Sequence, residues 1–265
     1  MSKSSFLVDA ILPTREIHLL GGPSGSGKTR WLMGLLQRWQ MGLPVLGFKS
    51  HPVPWAYVGS DRSLLSVHRT LEDIGIDPVT IHIIPAWGKD RLTLSQIFDR
   101  AEALGVQLLI IEGFGGFAES DTSAGIRLFL NAVQSYIDQS GITVWGVVES
   151  PKMKPFERYD NPRQRISGAA SWAHYTETIF VIEPTDPKTP MLPDRTLYVC
   201  PRNAAGMSFQ STFTSTGRLF FGPVDLSPLE SFHEGELNTN TVLPTPRPIQ
   251  SKGLKSSPFK SKGVN

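Results

Sequence analysis

The sequence predicts an α/β protein with a mainly parallel central sheet flanked by helices, followed by antiparallel strands. In the first 150 residues, short apolar segments alternate with longer amphipathic ones, which is typical of repeated β–α–β units. The segment 106–111 is apolar except at Gln107 and ends in a continuous apolar run, as expected for a strand that a parallel sheet buries on both faces. Beyond residue 176, strand-like segments follow one another without an intervening helix, which favours antiparallel pairing.

The first part of the chain contains three predicted strands and three predicted helices. A strand over residues 15–22 leads into a glycine-rich loop, and an amphipathic helix follows from Lys28 to Trp39. Five glycine and proline residues mark 41–54 as a loop. Apolar periodicity and helix-ending glycines assign the remaining elements: a strand over 55–60, a helix over 64–74, a strand over 81–84 and a helix over 94–104.

In the second part of the chain the regular alternation of strands and helices stops near residue 150. The strand over 106–111 ends in Glu112, a long helix covers 123–139, and a fifth strand covers 141–148. Residues 151–164 hold three prolines and four cations without apolar periodicity, which predicts a long functional or mobile loop. The remaining predicted elements are a short helix over 167–175 and strands over 178–182, 195–200 and 207–213.

Length and composition favour one folded domain with two extensions. We expect an N-terminal arm or edge strand over 1–14, the α/β domain over 15–225 and a disordered basic tail over 226–265. Five cations and no acid lie in the last nineteen residues, so residues 1–246 carry a net charge of about −3. Contacts with nucleic acid must therefore come from a local patch or from the tail.

The composition also bears on compartment and on cysteine chemistry. No apolar run approaches the roughly 20 residues needed to span a bilayer, and the N terminus does not have the pattern of a secretory signal. The single cysteine, Cys200, excludes an internal disulfide and a cysteine-based zinc site, and its surroundings predict a small buried side chain. We expect a cytoplasmic protein without membrane partners.

The glycine-rich loop carries the strongest chemical signal. Residues 22–29 match G-x-x-x-x-G-K-[ST], the Walker A pattern, at every fixed position, between a predicted strand and a predicted helix. Glycines let the backbone N–H groups turn inward around phosphate, and the helix N terminus adds partial positive charge. Lys28 is expected to reach the β- and γ-phosphates, and Thr29 to ligate Mg²⁺. The sequence thus predicts a site for a nucleoside triphosphate, with ATP and Mg²⁺ as cofactors, formed by Gly22, Pro23, Ser24, Gly25, Ser26, Gly27, Lys28, Thr29 and Arg30.

Two carboxylates are candidates for the chemistry beside the phosphates. Glu112 follows the buried strand at the sheet edge where α/β proteins bind ligands, and it can hold the metal ion or instead polarise water. Asp61 ends the second strand and is the candidate catalytic base, although it can also cap the helix that begins at Leu64. Glu149 and Ser150 end the fifth strand, where they can sense the γ-phosphate or form a solvated strand end. We therefore predict Lys28, Asp61 and Glu112 as catalytic residues.

A cationic segment follows the fifth strand. It can contact a polyanion, act on the nucleotide of a neighbouring subunit, or form an exposed mobile loop. As candidate nucleic-acid-binding residues we assign Lys152, Lys154, Arg158, Arg163 and Arg165.

Taken together, these motifs resemble the RecA-like ATPase core, and within it the RepA/DnaB-type hexameric helicases and their phage relatives. The resemblance rests on residues 22–29, Tyr57-Val-Gly-Ser-Asp61, Leu108-Leu-Ile-Ile-Glu112, Val147-Val-Glu-Ser-Pro-Lys152 and Arg165-Ile-Ser-Gly-Ala-Ala-Ser-Trp. It implies that Asp61 stands where a glutamate activates water and Glu112 where an aspartate holds the metal. Glu149 and Ser150 stand where a histidine or glutamine senses the γ-phosphate. Such proteins form rings with ATP between subunits and basic loops facing single-stranded DNA.

The resemblance implies an ATPase that acts on single-stranded DNA in replication, as a helicase or helicase-like motor encoded by a phage or plasmid. Two alternatives stay open: a recombination or strand-annealing ATPase, and a nucleotide-switched binding module with little hydrolysis. The expected partners are single-stranded DNA, further copies of the chain in a hexameric ring, and replication proteins that bind the C-terminal tail. In the case of a phage protein the compartment would be the host cytoplasm.

Overall fold

The computed structural model describes residues 5–59, 63–86, 92–150, 163, 166, 169–186, 188, 193–212 and 247–248. The strands within these ranges are β1 (Phe6–Val8), β2 (Leu12–Pro13), β3 (Ile17–Gly21), β4 (Trp55–Gly59), β5 (His82–Pro85), β6 (Leu108–Ile111), β7 (Thr143–Val147), β8 (Thr178–Pro184), β9 (Asp194–Pro201), β10 (Met207–Thr212) and β11 (Arg247–Pro248). The α-helices within them are α1 (Lys28–Gln40), α2 (Leu64–Asp73), α3 (Leu94–Ala103), α4 (Ser123–Ser140) and α5 (Ala169–Tyr175).

A single large sheet organises the described part of the chain, with the strand order β11-β10-β9-β8-β3-β7-β6-β4-β5. Neighbouring strands from β8 to β5 in that order are parallel, whereas β9, β10 and β11 add antiparallel pairs. The fold class predicted from the sequence, mainly parallel with antiparallel C-terminal strands, is therefore confirmed. Since β7 lies between β3 and β6, the segments that follow β3 and β6 leave the same sheet edge on either side of one strand.

Helices cover both faces of the sheet, which explains why its strands read as continuous apolar runs. On one face, α1 contributes Trp31 and Trp39 to a buried cluster that includes Trp145 of β7 and Phe180 of β8. The indole of Trp31 meets that of Trp145 edge-on, with ring centroids 6.1 Å apart. On the other face, α3, α4 and α5 pack side chains against alternate residues of the same strands. The central strands β3, β4, β6 and β7 are thus fixed in register by apolar contacts on two sides.

The element ends differ from the sequence prediction by one or two residues at most positions. The clearest case is the fifth predicted strand, expected over 141–148 and observed over Thr143–Val147. Gly141 instead ends α4, with a left-handed φ of 72° and its N–H bonded to the carbonyl of Ile137. A glycine after a long amphipathic helix is a common helix stop, so the turn chemistry decides this boundary.

The segment predicted to be an N-terminal arm or an edge strand forms a separate hairpin that packs into the core. Residues 5–14 contain β1 and β2, which pair antiparallel, and Leu7, Val8, Ile11 and Leu12 are at most 2% exposed. The hydroxyl of Thr178 donates a hydrogen bond to the carbonyl of Ile11 over 2.7 Å. Four apolar side chains spaced along a short hairpin therefore make this segment part of the folded body rather than a separate arm.

Other sequence-based expectations have mixed outcomes. Cys200 is buried on β9, as predicted. Apart from Arg247–Pro248, which pair with β10, the tail predicted over 226–265 lies outside the described residues. In the part of the chain that the structure describes, no helix combines the length and apolar character that crossing a membrane requires.

Gly146 on β7 permits a close contact just behind the candidate metal residue. A Cβ atom at Gly146 would overlap the ring of Phe114, two residues after Glu112. The Phe114 ring is fully buried and also packs against Phe129 and Trp172. The absence of a side chain at Gly146 therefore lets the segment after β6 lie flat on the sheet.

His18 joins the N-terminal hairpin to the centre of the sheet. It lies on β3 with no exposed surface, and its Nε2 hydrogen-bonds to the carbonyl of Pro13 over 2.9 Å, so the neutral ring carries its proton on Nε2. Burial lowers the pKa of His18 to about 4 from an ordinary value of 6.5.

This shift predicts a loss of stability in mild acid. Between pH 6.5 and 4 the unfolded chain binds a proton at His18 that the folded chain excludes, so the free energy of unfolding falls as the pH falls. We expect this residue to account for about 2 to 3 kcal/mol between pH 7 and 4.5. Urea unfolding of the wild type and of His18→Gln at several pH values measures this contribution to the free energy of unfolding. An equally steep pH dependence in the variant would contradict the assignment.

Candidate nucleotide-binding site

The predicted phosphate loop connects β3 to α1 and rests on β8. At Gly22, φ is 154° and a Cβ atom would collide with the backbone oxygen of Ile182. Gly27 precedes α1 with a left-handed φ of 95°, and no side chain among the described residues caps the helix start. The first N–H groups of α1 are therefore available for an anion, as the sequence predicts.

Lys28 folds its side chain back over this loop. Its Nζ donates hydrogen bonds to the carbonyls of Gly22, at 2.8 Å, and Pro23, at 3.1 Å. The residue is only 9% exposed, so its ammonium group is held at the loop rather than in solvent. This placement agrees with a lysine that meets the phosphates of a bound nucleotide.

Thr29 and Glu112 meet across β7. The Thr29 hydroxyl donates a hydrogen bond of 2.5 Å to Oε1 of Glu112. Since the hydroxyl proton is directed to Glu112, the lone pairs of Thr29 stay available for a metal ion. The contact places Glu112 beside Thr29, the predicted metal ligand, which favours a metal-holding role over the alternative of polarising water.

Burial gives Glu112 its unusual electrostatics. The residue is 3% exposed, and loss of water raises the pKa of its carboxyl group. The hydrogen bond from Thr29 and the positive charge of Lys28 oppose that rise. A divalent cation beside this carboxylate would favour the ionised form further.

Two serine hydroxyls near the loop fit the same ligand. Oγ of Ser26 and Oγ of Ser150 are buried and have no hydrogen-bond partner among the described residues. The N–H of Ser150 donates to the carbonyl of Gly22 over 3.0 Å, which ties the end of the β7 segment to the loop. Buried hydroxyls normally have partners, and phosphate oxygens would supply them here. The preceding residue, Glu149, is exposed and behaves as a solvated strand end.

The structure also shows where the other predicted residues lie. The side chain of Arg30 forms an ion pair with Asp73 of α2, with 3.5 Å between Nη2 and Oδ2. Its backbone N–H, in the first turn of α1, is the part suited to an anion site. Asp61, Lys152, Lys154, Arg158 and Arg165 lie outside the described residues, so their roles stay predictions.

The contacts of Arg163 differ from those predicted for a nucleic-acid-binding residue. Its guanidinium donates hydrogen bonds to the backbone carbonyls of Cys200, Ala173 and Thr176 at 2.8 to 3.0 Å. These bonds link α5 to β9 and direct the charged group into the protein. Arg163 is therefore a structural residue, and we remove it from the candidate surface.

One residue at the loop was missed by the sequence analysis. Arg195, at the start of β9, is 5% exposed, and its Nε donates a hydrogen bond to the carbonyl of Ser26 over 3.2 Å. The two residues are separated by 169 positions, and the only local signal was an arginine at the start of an apolar strand. The contact depends on the order of the strands in the sheet.

Comparison with known families identifies the class of domain that contains this loop. A family model described as an AAA domain matches residues 3–154, more than half of the chain. The chain therefore belongs to this family of P-loop ATPases, which is found in helicase-like and recombinase-like proteins. No curated protein matches the chain. The matched region includes the loop, Glu112 and Ser150, but not Arg195.

Glu112→Gln tests the metal-side role, because it keeps the size of the side chain and removes its charge. A carboxyl whose folded pKa is raised destabilises the folded state once the pH rises above about 4.5, so at pH 7.5 we expect the nucleotide-free variant to melt at a higher temperature. We also expect its affinity for nucleotide in Mg²⁺ to fall about tenfold, with binding in EDTA unchanged. The exposed Glu149→Gln is the control in both thermal melts and titrations. A variant with normal Mg²⁺ dependence would contradict the role.

Proposed function

We propose that this chain is an ATP-hydrolysing, Mg²⁺-dependent RecA-like protein that acts on single-stranded DNA in replication, as a helicase or helicase-like motor. The nucleotide part rests on one observation: the Thr29 hydroxyl and the Glu112 carboxylate meet 2.5 Å apart beside the glycine loop that holds Lys28. Membership of the AAA domain family supports the ATPase activity. The DNA part rests on the resemblance to hexameric helicases and on the charge pattern.

The residues of the site have distinct roles in this proposal. Loop N–H groups and Lys28 bind the phosphates, while Thr29 and Glu112 hold the metal ion, which when bound neutralises charge on the phosphates. The Ser150 hydroxyl donates to the nucleotide at the γ-phosphate end, because its segment lies between the loop and Glu112. Asp61 accepts a proton from the attacking water. The last role is taken from the resemblance.

The proposed DNA contact lies directly after the nucleotide site in the chain. Lys152, Lys154 and Arg158 follow Ser150 within eight residues, and Ser150 is bonded to the phosphate loop through Gly22. A DNA-binding segment attached there can report the nucleotide state to the DNA with little intervening structure. Because the guanidinium of Arg163 is bonded to three backbone carbonyls, Arg165 completes the proposed surface.

Assembly into a ring follows from the same resemblance. We propose a homo-oligomer, a hexamer by analogy, in which each nucleotide lies between two subunits and an arginine of the neighbour contacts the γ-phosphate. The basic C-terminal tail is proposed to recruit replication proteins. Its five cations without an acid suit acidic partner surfaces.

A second candidate function is a nucleotide-switched binding module with slow hydrolysis. It is favoured by the end of the β7 segment, which carries the exposed Glu149 and the buried Ser150 where the resembling helicases have a histidine or glutamine. A serine can hydrogen-bond to phosphate, but it does not carry the positive charge that a protonated histidine would add.

Steady-state ATPase activity with and without single-stranded DNA, run beside a native mass measurement, tests the proposal. We expect DNA-stimulated turnover in the wild type and its loss in Lys28→Ala, which removes a phosphate contact without disturbing the core. Exposed Lys49→Ala is the matched control. Unchanged activity in Lys28→Ala would contradict the site. Tight ATP binding without stimulated turnover would favour the switched module, and DNA-dependent filaments or strand annealing would favour the recombination class.

Charge removal in the cationic segment tests the DNA contact. We expect the triple variant Lys152→Ala, Lys154→Ala and Arg158→Ala to bind single-stranded DNA more weakly. The decrease of the logarithm of its association constant with the logarithm of salt concentration should also become shallower, by up to about 2 in slope. The control removes the same number of charges from the tail, at Lys255, Lys260 and Lys262. If the tail triple weakens binding and the loop triple does not, the tail is the DNA-binding segment and the proposed surface is wrong.

A further inference from the structure

Arg195 is a buried cation whose guanidinium donates a hydrogen bond to the phosphate loop. Its Nε donates to the carbonyl of Ser26 over 3.2 Å, and its Nη1 donates to the carbonyl of Asp194 over 2.9 Å. The residue is 5% exposed, and loss of water lowers the pKa of its guanidinium. Burying a cation is costly, so a specific contact has to offset that cost.

Strand order brings this arginine to the loop. β9 runs antiparallel to β8, with Arg195 opposite Pro184, and β8 is the parallel neighbour of β3, which leads into the loop. The start of β9 therefore lies at the sheet edge where the loop emerges. Along β9, Arg195 shares its face with Leu197 and Val199, which belong to the cluster that packs around α1.

The contact fixes one peptide plane of the loop. The N–H of Ser26 donates to the carbonyl of Pro23 over 3.1 Å, and the carbonyl of Ser26 accepts from Arg195. In a trans peptide the C=O and the following N–H are directed to opposite sides. The N–H of Gly27 is thereby directed away from β9, immediately before the first residue of α1.

We propose that Arg195 is a positioning residue for the phosphate loop, which orients the Ser26–Gly27 peptide so that the Gly27 N–H donates to the diphosphate part of the nucleotide. The inference rests on the proposed nucleotide site and extends it with a residue from outside the region that the AAA domain matches. An arginine suits this role because its planar group donates from separate nitrogens to Ser26 and Asp194 at once, whereas a lysine has one nitrogen.

The role predicts a defined pattern of affinities. A hydrogen bond from a charged donor is lost in Arg195→Gln, so the dissociation constants for Mg-ADP and Mg-ATP are expected to rise by the same factor, about tenfold. The maximal turnover rate stays within about twofold, since the contact acts on the diphosphate shared by both nucleotides. Arg195→Lys keeps the charge and is expected to give a smaller rise, about threefold.

The experiment uses the full chain with Mg-ADP and Mg-ATP in calorimetric titrations, together with hydrogen exchange at the amides of residues 24–27. Arg38→Gln is the matched control, because Arg38 is equally buried but lies ten residues along α1, about 15 Å from Lys28. We expect faster exchange in the loop of Arg195→Gln and wild-type affinity and loop exchange in Arg38→Gln.

Three results would overturn the role of Arg195. The first is unchanged ADP affinity in a folded Arg195→Gln, or in Arg195→Lys if the glutamine variant fails to fold. The second is weaker binding of ATP alone with a large fall in turnover, which would indicate a γ-phosphate contact. The third is a wild-type chain that binds neither nucleotide, and it alone would also contradict the proposed function.

Discussion

The hydrogen bond between Thr29 and Glu112 is the contact around which the site is arranged. It joins the first turn of α1 to the end of β6 across β7, so it requires the phosphate loop, the helix and the central strands to be in register together. A carboxylate with 3% exposure is costly unless charge or hydrogen bonds compensate it. Here a hydroxyl and the ammonium group of Lys28 compensate part of that cost, and a divalent cation would add to them.

Packing behind the site keeps this arrangement rigid. The ring of Phe114 lies over Gly146 and between two aromatic side chains, which fixes the chain just after Glu112. On the opposite face, Trp31 in α1 packs against Trp145 and Phe180, so the helix that carries Lys28 and Thr29 is anchored to β7 and β8. Close-packed interiors resist small displacements, and a metal site needs that resistance.

The local signals in the sequence were sufficient for the loop, α1 and Glu112. The glycine pattern lies between a strand and a helix, and the carboxylate follows a buried strand. Both signals depend only on residues that are close in sequence. The sheet class followed from apolar periodicity for the same reason. Gly141 was assigned to a strand although it ends α4, because a glycine at such a junction satisfies both patterns until backbone conformation is known.

Arg163 and Arg195 show what the sequence could not provide. One is an arginine in a polar segment and the other begins an apolar strand, yet the first donates to backbone carbonyls of α5 and β9 and the second to the phosphate loop. Which carbonyl an arginine meets depends on the three-dimensional neighbours of its strand or loop, and those neighbours are up to 169 positions away. The packing of the N-terminal hairpin could not be predicted for the same reason, since its four apolar residues contact parts of the sheet that are distant in sequence.

A structure determined with Mn²⁺ in place of Mg²⁺ and a non-hydrolysable ATP analogue tests the central claim most directly, because the anomalous signal of manganese locates the metal without ambiguity. The expected result is one manganese ion ligated by Oγ1 of Thr29, with the Glu112 carboxylate beside it and the phosphates within hydrogen-bond distance of the amides of residues 24–29. A nucleotide bound at another place, or a metal ion remote from both Thr29 and Glu112, would contradict it.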